Sequence, residues 1–183
     1  ATARLGMQVG LQNVVEEFAK LGVEQPLPPY PSLLLGAISM SPLDVAHMYQ
    51  TIASQGFVMP LRTIEAVTTA AGETLSSYAI QGEQKYDPNM IQWLRYGLEQ
   101  VAERGTAKAL SESFGVRLAA KTGTSDDQRD AWLAGFDNRH LGVIWVGRDD
   151  NQPMPFTGSS AALPIWRDTF SGSALSRFHR LRD

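Results

Sequence analysis

Apolar residues in the first third of the chain recur at helical spacing. Leu11, Val14, Val15, Phe18 and Leu21 fall on one face of a 3.6-residue period, and Gly22 stands where a left-handed C-terminal cap belongs, which predicts an amphipathic helix. VEQPLPPYP then places four prolines in nine residues, fixing φ and removing backbone donors, so an extended connector follows. Ser41, Pro42 and Asp44 supply an N-cap hydroxyl, a proline at the first helical position and an acid at the third. The helix they start should end by Gly56 and neighbour the first.

The pattern then shifts toward alternation. Thr63 to Thr69 and Thr74 to Tyr78, separated by AAGE, predict a hairpin. Asp87 and Pro88 open a capped helix with Ile91, Leu94, Leu98 and Val101 on one face and Gly105 beyond its end. Three strand-like runs follow, Val116 to Thr124, Asp130 to Phe136 and His140 to Gly147, the last two joined by the tight turn DNR, and they predict an antiparallel meander. After the polar loop DDNQPMPFTGSS, residues Ala161, Ala162, Ile165, Trp166 and Phe170 predict a closing helix that holds Pro164 in its first turn. The expected class is α+β, an antiparallel sheet flanked by helices.

Composition narrows the function. With 43% hydrophobic and 19% charged residues, the 183-residue chain has the make-up of a packed globular protein. A net charge of −3, with basic residues scattered except in the terminal SRFHRLRD, argues against a nucleic-acid partner. The absence of cysteine excludes disulfides and thiolate metal sites. His47, His140 and His179 are too dispersed to predict a metal centre, and no cofactor motif stands out. Asp126, Asp127, Asp149 and Asp150 form acidic pairs best read as solvated turns, and Trp93, Trp145 and Trp166 sit at core spacings.

The chemistry concentrates on VRLAAKTGT. Lys121 offers a positive charge, Thr122 and Thr124 offer hydroxyls, and the strand offers amide donors, a set suited to a carboxylate. Gly123 has no side chain to hold an extended peptide off the strand. An amide there could also stabilise an oxyanion, which points to acyl transfer. Period-two alternation sets Lys121 and Gly123 on one face and the threonines on the other, so they can cooperate only if the strand twists or is approached along its edge. The plainer alternative is a snorkelling lysine with Gly123 and Thr124 serving the turn.

Several ordered motifs bear on that choice: RLGMQVGL from Arg4, PSLLLGAISMSPLDVAHMYQTIASQG from Pro31, VAERGTAKAL from Val101, AAKTGTSDDQRDAWLAGF from Ala119 and IWVGRDDNQP from Ile144. Together they resemble the C-terminal part of the transpeptidase domain of class A bifunctional penicillin-binding proteins. The IWVGRDDNQP phrase looks most like the type 1b branch. The resemblance implies a partial penicillin-binding transpeptidase fold, related to serine β-lactamases. It implies an enzyme whose serine attacks the penultimate D-Ala carbonyl of a peptidoglycan stem and passes the acyl group to an amine of a neighbouring stem.

Such enzymes carry SxxK, SxN and KTG motifs. Only KTG occurs here, so the expectation is a chain whose nucleophile-bearing N-terminal half, glycosyltransferase domain and membrane anchor lie outside it, inactive by itself. By resemblance Lys121 is the electrostatic partner of the substrate, Thr122 and Thr124 bind its terminal carboxylate, Gly123 gives clearance, and the Thr124 amide forms half of an oxyanion hole. Asp130, Trp132 and Gly135 fit a DxWFxG pattern with Leu133 in place of phenylalanine, and Arg104, Gly105 and Thr106 match a turn near the site. The implied partners are stem peptides ending in D-Ala-D-Ala, β-lactams, the N-terminal half and an outer-membrane lipoprotein activator. The implied location is the periplasmic face of the bacterial inner membrane. Two other readings stay open: a non-catalytic peptide-binding module, and a β-lactamase or carboxypeptidase relative. Loss of the nucleophile helix should also leave apolar faces exposed.

Overall fold

In a computed structural model, residues 1–115 and 117–171 are described. Helices α1 (Thr2–Val9) and α2 (Leu11–Lys20) meet at Gly10, and Gly22, with φ of 96°, ends the second as its position predicts. A 3₁₀ turn over Pro31–Leu35 closes the proline-rich connector. Helix α3 (Pro42–Ala53) begins with a complete capping box: Ser41 Oγ accepts from the Asp44 amide at 3.1 Å, and the Asp44 carboxylate accepts from the Ser41 amide at 2.9 Å. Val14, Val15 and Phe18 of α2 and Met48 of α3 pack around Val23, Leu27 and Leu33, so the two helices meet through a shared small cluster.

Strands β1 (Phe57–Val58), β2 (Ala66–Thr68), β3 (Thr74–Ser77) and β4 (Glu83–Gln84) make two small antiparallel pairs, β1 with β4 and β2 with β3. The second is the expected hairpin. Its register shifts between Val67 and Thr68, a local irregularity in the pairing. Helix α4 (Pro88–Arg104) is capped by Asp87, whose carboxylate accepts from the Asn89 amide at 2.7 Å. Ile91 and Leu98 are buried, but Leu94 is exposed; the inward positions also include Glu99 and Ala102. A short helix α5 (Lys108–Phe114), not anticipated, follows directly.

The main sheet is β5 (Ala119–Thr124), β6 (Asp130–Phe136) and β7 (Leu141–Gly147), antiparallel in that order. Val116, the expected start of the first strand, lies outside the described residues, as do His179 and the whole of the basic terminal SRFHRLRD. A π-turn at Gly158–Ala162 leads into α6 (Leu163–Ser171), which holds Pro164 in its first turn.

Alternation along the sheet feeds two cores. Ala120, Leu133 and Ile144 meet Ala107, Leu110 and Phe114 around α5 and Leu163 and Trp166 of α6. The residues one step along, Ala119, Phe136 and Leu141, meet Ile52 of α3 and Ile91 and Leu98 of α4. Trp166 is the core tryptophan: its indole lies over Gly135 and donates to the Gly142 carbonyl at 3.1 Å. Trp93 departs from its expected core role, being 76% exposed on the outer side of α4. Helical spacing places a residue on a face; it does not say which face finds a partner.

Candidate functional site

β5 is an edge strand: among the described residues only β6 pairs with it. The Ser125 amide donates to the Asp130 carbonyl at 3.1 Å, and Thr124 is opposite Ala131 in register. In an antiparallel ladder, directly opposed residues alternate between exchanging hydrogen bonds and exchanging none. Counting back from Ser125, Gly123 and Lys121 turn their backbone groups toward β6. Thr124 and Thr122 therefore turn their amides and carbonyls away from the sheet, along the outer edge.

Side chains follow the other alternation. Lys121 shares its face with Ala119, and the threonines share theirs with Ala120. The edge is where the two sets meet: the exposed Lys121 bends its ammonium to the outward Thr122 carbonyl, 2.6 Å away. Approach along the edge thus brings the lysine charge and the threonine backbone together.

Both threonine hydroxyls have partners from other elements. Thr122, buried, has its Oγ1 2.5 Å from Thr106 Oγ1 on the turn after α4. Thr124, exposed, accepts from the Gly158 amide at 3.1 Å. Accepting leaves the Thr124 proton available to a further acceptor. Gly123 lies opposite Trp132, and a Cβ at Gly123 would come within 3.2 Å of the Trp132 Cβ.

The β5 end is braced from below. The Asp130 amide donates to Ser125 Oγ at 2.8 Å, and the Trp145 indole donates to the Asp130 carboxylate at 2.9 Å, which sets Trp145 beside Trp132 with ring centroids 6.2 Å apart. The loop after β7 is tied down too. Arg148 bonds both oxygens of Asp150, at 2.8 and 2.6 Å, and with the Gln152 amide this holds that carboxyl at about 2. The Met154 amide donates to the Gln128 carbonyl at 3.1 Å, joining the loop to the β5–β6 turn just ahead of Gly158.

The four expected residues, Lys121 to Thr124, therefore sit at one sheet edge that no other strand pairs among the described residues, and Thr106 joins them through Thr122. Gly158 was not anticipated; a glycine within the polar loop DDNQPMPFTGSS, ahead of the closing helix, is its only trace in the sequence. His47 lies elsewhere, its Nε2 3.0 Å from the Met59 carbonyl, and His140 lies beside Asp137 at the β6–β7 turn. Two clefts, about 390 Å³ along α4 near Arg95 and Glu99 and about 310 Å³ in the proline-rich connector, are both apart from Lys121.

Comparison with known proteins gives this arrangement a family. Residues 22–170 match the penicillin binding protein transpeptidase domain. Penicillin-binding protein 1B of Vibrio cholerae is 39% identical over 167 residues, 90% of this chain and 22% of the relative. Penicillin-binding protein 1B of Escherichia coli is 38% identical over 168 residues, 91% of this chain and 20% of the relative. The chain thus spans about a fifth of the length of these curated relatives. Among solved structures, penicillin-binding protein 1A of Haemophilus influenzae superposes with a TM-score of 0.85 at 20% identity, over 94% of this chain and 32% of that one. The PonA1 protein of Mycobacterium tuberculosis superposes with a TM-score of 0.79 at 24% identity, over 93% of this chain and 52% of that one. The fold expected from the motifs is the fold observed, and the chain belongs to the penicillin-binding protein transpeptidase domain family.

Proposed function

We propose that the chain is the C-terminal portion of a peptidoglycan D,D-transpeptidase domain, with the nucleophilic serine supplied by residues outside it. One observation carries the reading: the outward amides of Thr122 and Thr124 and the Lys121 ammonium converge on a sheet edge left unpaired among the described residues. An extended peptide can add to that edge through main-chain hydrogen bonds. Its terminal carboxylate meets the hydroxyls of Thr122 and Thr124, and Lys121 supplies the opposite charge.

The serine oxygen attacks the penultimate D-Ala carbonyl, and the oxyanion that forms is held by the Thr124 amide and the nucleophile's own amide. The C–N bond breaks, the terminal D-Ala leaves with a proton on its nitrogen, and an acyl-enzyme remains. The amine of a neighbouring stem attacks this ester, forms the crosslink and returns a proton to the serine. β-Lactams acylate the same serine because their ring amide and carboxylate occupy the same places. The PonA1 protein named above was solved with penicillin V, which fits that reading.

Two features support a partner half. Neither SxxK nor SxN occurs in the 183 residues. Large apolar side chains stand exposed on α1, at Leu5 and Met7, and on α4, at Met90, Trp93 and Leu94. The reading carries with it the remaining implied features: a glycosyltransferase domain and membrane anchor in the same protein, a periplasmic location and a lipoprotein activator. No helix among the described residues is long and apolar enough to cross a membrane, so an anchor would lie elsewhere.

A fluorescent penicillin tests the proposal. The protein comprising this chain and its nucleophile-bearing half should label covalently, the chain alone should not, and Lys121→Ala in the whole protein should slow labelling on the order of a hundredfold. Covalent labelling of the chain alone would contradict it. Acyl transfer to an amine, measured against release to water, separates a transpeptidase from a carboxypeptidase or β-lactamase.

A further inference from the structure

We propose that Thr106 is a positioning residue of this site, whose hydroxyl donates to Thr122 Oγ1 and so turns the Thr122 proton toward the ligand carboxylate. The inference rests on the function proposed above and adds to it a residue from outside the KTGT strand.

The two oxygens are 2.5 Å apart, at the short end of the range for O–H···O hydrogen bonds, so one of them donates to the other. A threonine hydroxyl has one proton and two lone pairs. Were Thr122 to give its proton to Thr106, it would face a carboxylate with lone pairs alone. Donation from Thr106 leaves the Thr122 proton free and polarises it, because accepting one hydrogen bond strengthens the next one donated. A carboxylate at the edge therefore selects the direction from Thr106 to Thr122.

Thr124 shows the same device with its direction fixed. Its Oγ1 accepts from the Gly158 amide, which can only donate, so its proton is left for the edge. Each threonine of the strand is thus met by a partner from a different element: the turn after α4 for Thr122, the start of the π-turn for Thr124.

The turn that carries Thr106 is anchored. The Gly105 amide donates to the Val101 carbonyl at 2.9 Å, the Lys108 amide to the Gly105 carbonyl at 3.2 Å, and Ala107 is fully buried in the core around α5. Thr106 itself remains exposed, beside the edge it serves.

The test uses the whole protein, with its nucleophile, and two β-lactam probes: a cephalosporin with a free ring carboxylate and its methyl ester. Thr106→Val keeps the shape and removes the hydroxyl; Thr106→Ser keeps the hydroxyl. The expected result is that T106V slows acylation by the free acid about tenfold relative to wild type, T106S restores it, and the ester reacts with all three forms at one rate. An unchanged T106V, an equal loss with acid and ester, or a T106S as slow as T106V would overturn the proposal. A wild-type protein that neither probe acylates would remove the functional reading itself, and this inference with it. Normal wild-type acylation with an unaffected T106V would remove only the role of Thr106.

Discussion

Gly158 lies so close over Gly123 that a Cβ on Gly158 would come 2.6 Å from the Gly123 carbonyl oxygen, and closer still to the carbonyl oxygen of Trp132. Both obstacles are backbone, held in the β5–β6 ladder, and cannot swing aside as a side chain would. The same Gly158 donates its amide to Thr124. Gly158→Ala should therefore push the start of the π-turn off the strand and destabilise the protein by about 2 kcal/mol, in the range for overpacking a tight site. Urea unfolding measures this. A midpoint equal to that of wild type would show that the contact relaxes freely.

Arg95 and Arg117 both approach Glu99, but they should differ in weight. Glu99 is buried, with Arg95 Nε at 3.1 Å and Arg117 at 3.7 Å. Arg95 also donates to Asn138 at 2.6 Å and lies over the Phe136 ring, whereas the Arg117 side chain is 71% exposed. Removing the inner partner leaves a buried carboxylate poorly compensated, so Arg95→Ala should cost about 3 kcal/mol. Arg117→Ala should cost less than about 1 kcal/mol, as for exposed pairs. Equal losses in denaturant unfolding would sink this ranking.

The capping box of α3 should leave a signature in pH. Hydrogen bonds from the Ser41 hydroxyl and the Ser41 amide lower the pKa of Asp44 below its ordinary 3.8. A depressed carboxyl contributes stability that is present above the unfolded pKa and is lost as pH falls through the folded one. The stability difference between wild type and Asp44→Asn should thus be largest near neutral pH and shrink below pH 3.8. Ser41→Ala should cost about 1 kcal/mol at neutral pH through the lost cap. A difference between wild type and D44N that stays constant down to acid pH would show that the carboxylate adds nothing.

What the sequence determined by itself was local. Strand β6 spans Asp130 to Phe136 as predicted, its side chains turning alternately to two sides so that Leu133 enters one core and Phe136 the other. The caps at Ser41 and Asp87 were legible because an N-cap acts on amides two or three residues away. Helix α5 was missed although Ala107, Leu110 and Phe114 have helical spacing ahead of Gly115, whose φ is 61°; seven residues are too few for the period to stand out. Only the tertiary structure decided which faces were covered. Leu94 and Trp93 carry the same apolar character as Leu98, yet both stand exposed while Leu98 is buried.

The site divides in the same way. Lys121 to Thr124 could be singled out because their chemistry is contiguous, and alternation stated the difficulty of bringing lysine and threonine together. Its resolution depends on which residues of β5 bond to β6, a register set by pairing across the sheet. Thr106 and Gly158 reach the strand from 16 and 34 residues away in sequence. Hydrogen bonds over such separations arise from packing of whole elements, and no local spacing encodes them.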